Sequence, residues 1–414
     1  MPHLLRGLAM GTAITGSLIA STVGLGATGG TGTAGPLTVA VFGDLPYGDN
    51  AADANQFNHL PDFVNSVNSD ASVRTAIFGG DLHSGKQYCT QALNNAEFTI
   101  FGGLKMPFVY VPGDNEWTDC TKAKELSGST ADFYSGAKVS FHNGNPVENL
   151  ALIRSTFFPV AGWTLGVKGM PVLSQATVAK WGTKEYRKGS NPDTVDHIPS
   201  SIKVMMKSAT DKEYVENVMW EDAKTMFVTV NIPGGSNNDA DPWYGNAACG
   251  AGATEGATPQ QVNEVSNRSV ADVHWLYAAF AKAKRDGMTS VAIIEQADMW
   301  DLDGCAAAAN HVRGYDRFVN VIADKTADFK GPVLLLNGDS HNETVDNPLA
   351  ASDPLNYLHP GHDVANLRRV VWNGSTTLSN TMQWIKLTDT PGANNPAGPT
   401  SFGPFTWSTT SVTW

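Results

Sequence analysis

The chain reads as an α/β protein whose first sheet is parallel, with a second sheet further along. Two observations predict this architecture. Apolar strands and amphipathic helices alternate in the order βαβαβ over residues 37–111, and further strand-like runs gather beyond residue 200. A third observation bears on function: four of the strands run into a Gly-Asp pair.

Leu37–Phe42 (LTVAVF) is a continuous apolar run, the pattern of a strand covered on both faces. The helical spacing of Phe57, Leu60, Phe63, Val64 and Val67 predicts a helix over residues 55–67. Val73–Phe78 follows as the second strand, residues 91–104 as the second helix and residues 108–111 as the third strand. Residues 117–200 are rich in Gly, Ser, Asn and Pro, lack long periodicity, and read as a surface insertion. Residues 202–206, 215–220 and 226–230 predict antiparallel strands of the second sheet. Residues 270–284 and 312–323 read as helices, and 291–294 and 333–336 as buried strands. Residues 370–372 and 382–387 finish a sheet. The domain is expected over residues 35–390, with the alternating FTWSTTSVTW end lying in a tail or edge strand over 391–414.

Apolar residues make up 42% of the chain and charged residues 16%, so it can bury a core and is not a disordered segment. Lys and Arg number 28 against 40 Asp and Glu, for a formal charge of −12. That balance argues against a nucleic-acid backbone as the main partner, but not against a small phosphate ester held at a metal. Arg6 is followed by no charged residue until Asp44, residues 8–25 are apolar and small, and a Gly/Thr stretch ends at Ala34. This is the pattern of a signal peptide over residues 1–34, so a secreted or periplasmic location is expected. No later run of 18 apolar residues occurs, so no membrane association is expected after cleavage. Four cysteines in an exported chain predict two disulfides. Cys89 and Cys120 each lie just past a strand end and are the favoured pair, which leaves Cys249 with Cys305.

VAVF runs into Gly43-Asp44, TAIFG into Gly80-Asp81, FVYVP into Gly113-Asp114, and VLLLN into Gly338-Asp339. One such pair is an ordinary turn. Four at the C-terminal ends of buried strands are another matter, because those ends open on the side of a parallel sheet where ligands bind. Glycine lets the backbone turn sharply there and approach a ligand closely. Four converging carboxylates, with His341 two residues past Asp339, repel one another, and a cation is the common remedy.

In order and spacing, Gly43-Asp44-Leu45-Pro46, Gly80-Asp81-Leu82-His83, Gly113-Asp114-Asn115-Glu116, Glu295-Gln296 and Gly338-Asp339-Ser340-His341 resemble the calcineurin-like metallophosphoesterases, the group that includes the purple acid phosphatases. The resemblance covers nearly the whole chain after residue 34 and implies a single-domain, four-layer α/β/β/α sandwich holding one or two divalent metal ions. Asp81 would bridge the two positions. Asp44 and His341 match ligands of the first; Asp114, Asp339 and Gln296, with Glu295 a weaker candidate, match the second.

Three departures change what the resemblance implies. Pro46 stands where the family has a first-metal histidine and cannot coordinate, so Tyr47 or His83 is expected to substitute. Gln296 and Asp339 replace family histidines and make the ligand set oxygen-rich, which suits Mn²⁺, Mg²⁺, Ca²⁺ or iron better than Zn²⁺. Asn115 stands where the family has the histidine that contacts the phosphoryl group and protonates the leaving group. Asn donates a hydrogen bond but delivers no proton at neutral pH. Glu116 is a candidate to orient Asn115, and His83 a candidate to supply the proton.

The resemblance thus implies an exported metal-dependent phosphoesterase-like hydrolase in which activated water attacks a small phosphate ester, with Asn115 and His83 as catalytic candidates. The alternative is a catalytically degenerate metal- or ligand-binding protein of the same fold. Asn231, Asn237 and Asn238, and the tryptophans at 117, 243, 300 and 384, are weaker candidates for a cleft rim.

Overall fold

Two sheets pack face to face because their central strands carry apolar side chains on both sides. The computed structural model describes residues 35–48, 55–121, 144–178, 211–238, 243, 258–302, 311–375 and 380–414. In the first sheet, β1 (Leu37–Phe42), β2 (Val73–Phe78) and β3 (Phe108–Tyr110) run parallel. They are linked by α1 (Leu60–Ser69) and α2 (Gln91–Phe101), as the alternation predicts. Beyond β1 lie β11 (Thr381–Asp389), β13 (Phe405–Thr413) and the two-residue β12 (Ser401–Phe402), each antiparallel to its neighbour. The second sheet holds, in spatial order, β4 (Leu173–Ser174), β5 (Val218–Asp222), β6 (Thr225–Thr229), β7 (Ser290–Ile294), β8 (Val333–Asn337), β10 (Leu367–Val371) and β9 (Thr344–Asp346). Here β6, β7, β8 and β10 run parallel, and β5 pairs antiparallel with β6 as the sequence predicts.

The period of two along each strand sorts the layers. Val39 and Val41 of β1, with Ile77 and Val109, meet Phe227, Ala292, Ile294, Leu334 and Leu336 of the second sheet. Ala40 and Phe42 point the other way, onto Leu60, Phe63, Val67 and Phe101 of α1 and α2. The outer face of the second sheet packs Met226, Val228, Ile293 and Leu335 against α4 (Pro259–Arg285) and α5 (Asp316–Phe329). The result is a four-layer α/β/β/α sandwich.

Two elements differ from expectation, and a third is decided between the alternatives of tail and edge strand. The region 117–200 is more than a surface insertion. Asn145 caps α3 (Pro146–Phe157), whose Ile153 and Phe157 join the α1/α2 layer, and further on β4 pairs with β5. Helix α4 begins at Pro259 rather than near 270, since Thr258 accepts a hydrogen bond from the Gln261 N–H and Pro259 occupies the first turn. Its polar first turns hide this start from a reading by apolar period. The C-terminal run is not a tail: β13 pairs with β11 over Phe405–Thr413, and Phe405 and Trp407 enter the core between the sheets. The two-residue β12 covers only the start of β13, so the rest of β13 lies at the sheet edge.

Cys89 and Cys120 form the expected disulfide, with Cα atoms 5.8 Å apart. The expected pair Cys249–Cys305, the expected strand at 202–206 and the signal segment lie outside the described residues. Among the described residues no helix is long and apolar enough to cross a membrane.

Candidate metal centre

The four corners bring Asp44, Asp81, Asp114 and Asp339 together beside His341. The left-handed backbone falls mainly on the functional residues; of the four corner glycines only Gly80, at φ 101°, has a positive φ. Asp44, Asp81, Asp339 and His341 have φ of 51°, 64°, 70° and 59°, a left-handed region costing about 1–3 kcal/mol for such residues. The corner glycines answer a different need. A Cβ on Gly43 would lie 2.7 Å from the Trp372 indole, and one on Gly79 or Gly338 would collide with the same ring. A Cβ on Gly113 would collide with Asp81 Oδ1. Glycine was expected to let the backbone approach a ligand; three of these glycines instead make room for one indole. Trp372 follows β10 and donates its Nε1–H to Asp44 Oδ2.

Two groups of ligand atoms share Asp81: Asp44, Asp81 and His341, and Asp81, Asp114 and Asp339. Within each group all lie within 4.8 Å of one another. His341 Nε2 is 3.1 Å from Asp44 Oδ1, and the Asp339 N–H donates to the same oxygen at 3.1 Å. Tyr47 brings its hydroxyl to 3.2 Å from Asp81 Oδ2 and 3.4 Å from His341 Nε2. Asn115 donates through its backbone to Asp81 Oδ1 at 3.2 Å, and through Nδ2 to Asp81 Oδ2 at 2.9 Å and Tyr47 Oη at 2.8 Å. Gln296 Nε2 shares its two hydrogens among Asp81 Oδ2 at 3.2 Å, Asp114 Oδ1 at 3.2 Å and Asp339 Oδ1 at 3.0 Å.

Of the two candidates for the place vacated at Pro46, Tyr47 is the one in contact with Asp81 and His341. His83 belongs to neither ligand group; it is buried with Nδ1 3.0 Å from the Ser84 carbonyl oxygen. Glu116 does not orient Asn115. Its carboxylate accepts from the Tyr110 hydroxyl at 2.6 Å and the Gly113 N–H at 2.7 Å, bracing the third corner from beneath. Gln296 reaches the cluster as expected, but through its amide nitrogen, a donor with no lone pair for a cation. Glu295, its neighbour, is fully buried, and burial pushes its carboxyl well above the ordinary range, with Asp298 and Asp272 adding to the effect.

The cleft-rim candidates serve other ends. Asn237 binds Arg268 and Ser269. Asn231 donates to Glu216. Trp117, Trp243, Trp300 and Trp384 are all core residues.

The electrostatics are those of crowded buried acids. Burial first, then the charges of Asp114, Asp44, Glu116 and Asp339, push the Asp81 carboxyl well above its usual range. Burial, then Asp114 and Asp44, do the same to Asp339. Burial and the charges of Asp81, Asp44 and Asp114 hold the Tyr47 phenol neutral far above its ordinary value. At His341 burial opposes the charged form, yet the adjacent Asp44 carboxylate wins and raises it. The contacts given above come from amides, an indole, a phenol and an imidazole, none of which carries the fixed charge of a lysine or arginine. Two carboxylates and an imidazole nitrogen, buried and convergent, are a donor set that fits a divalent cation, and such an ion would invert these shifts.

No family model matches the chain, and no curated protein matches it. Among solved structures, a purple acid phosphatase from yellow lupin (Lupinus luteus) seeds is similar at 9% identity and TM-score 0.39, over 92% of this chain and 54% of that one. The sulfate thiohydrolase SoxB of Thermus thermophilus, in complex with glycerol, is similar at 14% identity and TM-score 0.30, over 80% of this chain and 39% of that one. The chain thus spans about half the length of the lupin enzyme. Likenesses this distant leave function to the chain's own residues.

Proposed function

We propose that the protein is an exported, metal-dependent phosphoesterase-like hydrolase acting on a small phosphate ester. The observation that carries this reading is the convergence of Asp44, Asp81 and His341, two buried carboxylates and an imidazole, at the C-terminal ends of parallel strands. A divalent cation held there supplies charge stabilisation for a phosphoryl group and lowers the pKa of a water molecule. We take Mn²⁺, Mg²⁺, Ca²⁺ or iron in preference to Zn²⁺, because carboxylate oxygens outnumber the single imidazole nitrogen among these donors.

The chain's own residues do the rest. Trp372 and the Asp339 N–H fix the Asp44 carboxylate. Tyr47 and Asp81 engage the Nδ2 group of Asn115, and its amide delivers no proton at neutral pH. Esters with good leaving groups are therefore the favoured substrates.

The test is kcat/KM on aryl and alkyl phosphate esters across added metals. Wild type should favour aryl esters, Asn115→His should raise alkyl-ester turnover, and Asp81→Asn should abolish both. General-acid assistance is typically worth about 10²–10⁴-fold, so a poorly placed donor is still visible. Equal wild-type rates on both esters would assign the proton to another residue, His83 first. Metal binding without turnover would favour a catalytically degenerate metal-binding protein, a reading supported by the ties of Asn115 Nδ2 to Tyr47 and Asp81.

A further inference from the structure

The two ligand groups that share Asp81 are not equivalent, and Gln296 is the difference. Its Nε2 lies within 3.0–3.2 Å of one oxygen from each carboxylate of the second group, Asp81, Asp114 and Asp339. We propose that this amide stands in place of a second cation, so that the protein binds a single divalent ion, at Asp44, Asp81 and His341. The inference rests on the reading of the corner cluster as a metal centre.

The orientation of the amide is decided by its other end. Gln296 Oε1 accepts the Gly234 backbone N–H at 2.6 Å. A backbone N–H can only donate, so the usual ambiguity between amide oxygen and nitrogen does not arise. To offer an oxygen to a cation, Gln296 would have to turn over and set its own –NH₂ against the Gly234 N–H. That leaves a buried donor unpaired, at about 1–3 kcal/mol. The side chain also has no room to swing aside. A Cβ on Gly80 would lie 2.9 Å from Gln296 Cβ, and one on Gly113 would lie 2.8 Å from Gln296 Cγ, so the stem is packed between two corner glycines. The backbone is held on both sides: Gly338 N–H donates to the Gln296 carbonyl at 3.0 Å, and Ala297 N–H to the Ile232 carbonyl at 3.1 Å.

The second group has other neutral support. The Asp298 N–H donates to Asp339 Oδ2 at 3.3 Å, and Asp298 is itself held by Arg369 and by Ser340 Oγ at 2.8 Å. Gly234 closes the remaining side, since a Cβ there would lie 2.6 Å from Asp339 Oδ1 and 2.8 Å from Asp114 Oδ2. The first group differs in kind. Its nitrogen belongs to an imidazole, a ring whose unprotonated nitrogen carries a lone pair that a cation can take, whereas an amide nitrogen has none to give.

The test is metal stoichiometry. Full-length protein is stripped with chelator, reloaded with Mn²⁺ and desalted. Bound manganese is then counted by elemental analysis, with the electron paramagnetic resonance spectrum separating an isolated ion from a coupled pair. Circular dichroism checks the fold of each variant. Wild type should hold one ion per chain with an isolated-ion spectrum. Asp339→Asn should still hold one, and His341→Ala none. Gln296→His, and independently Gln296→Glu, should hold two and show a coupled pair. Two ions in wild type would overturn the inference and leave the metal centre standing, as would both Gln296 variants remaining at one. No ion in wild type would overturn the metal centre, and the inference with it.

Discussion

Trp372 is the residue on which three of the corners close, and Gly338 shows how tightly. A Cβ at Gly338 would collide with both Asp44 Oδ2 and the Trp372 indole, while one at Gly35 would meet nothing within 4 Å. Gly338→Ala is therefore expected to lower the urea midpoint by an amount equivalent to about 1–3 kcal/mol, with Gly35→Ala unchanged as the control. Equal midpoints for the two variants would show that the indole is free to move. The carboxylates were legible in the sequence because each sits at the end of an apolar run. Trp372 was not, because the need for glycine at Gly43 and Gly79 comes from a strand of the other sheet. The donor role of Gln296 was equally hidden, since it depends on the Gly234 N–H, which only the fold brings near.

At the scale of elements, the site is built from loops tied to rigid strands. The Cys89–Cys120 bond joins the loops after β2 and β3 across 31 residues, and Cys89 Sγ lies 3.6 Å from the Asn115 carbonyl oxygen. Closing a loop of that length is worth about 3–4 kcal/mol by chain entropy. Replacing both cysteines by serine should cost that much in urea unfolding and speed amide exchange around Asn115. Unchanged exchange there would separate the bond from the site.

The turn after β6 is the more unusual element. Gly235, Ser236, Asn237 and Asn238 are consecutively left-handed, with φ of 57° to 60°. Buried Arg268 pins this turn by donating to the Asn231 and Asn237 carbonyl oxygens, and the turn in turn sets Gly234 against Gln296. Strands β1 and β2 were readable to the residue: double burial makes β1 almost wholly apolar, and β2 ends in the apolar run Ala76-Ile77-Phe78 just before its Gly-Asp corner. The turn was not, because asparagines and glycines in a row suit many conformations, and the choice is made by an arginine on α4. Helix α3 was missed for a related reason: only one stripe of it is buried, inside a stretch whose composition reads as loop.

The whole molecule carries a charge of −12 and buries carboxyls at its centre. Asp389, set between the sheets, illustrates the consequence. Burial first, and the charge of Asp222 after it, raise its carboxyl from 3.8 to about 7. A carboxyl raised on folding contributes stability that is complete below its unfolded value and is lost as pH rises through its folded value. Asp389→Asn should thus flatten the fall in stability between about pH 4 and 7, read as urea midpoints across that range. An unchanged slope would place the titration elsewhere.

Asp81 and Asp339 are raised in the same direction, so the metal-free protein should weaken further toward neutral pH, and a cation should reverse the loss. Urea unfolding of chelator-treated protein at pH 7, with and without Mn²⁺, tests that directly. The wild-type midpoint should rise with manganese, approaching about 2.7 kcal/mol of stabilisation at a hundredfold excess over Kd, and Asp44→Asn should show no rise. A wild-type midpoint indifferent to millimolar manganese would contradict the assignment of the four corners as a metal centre.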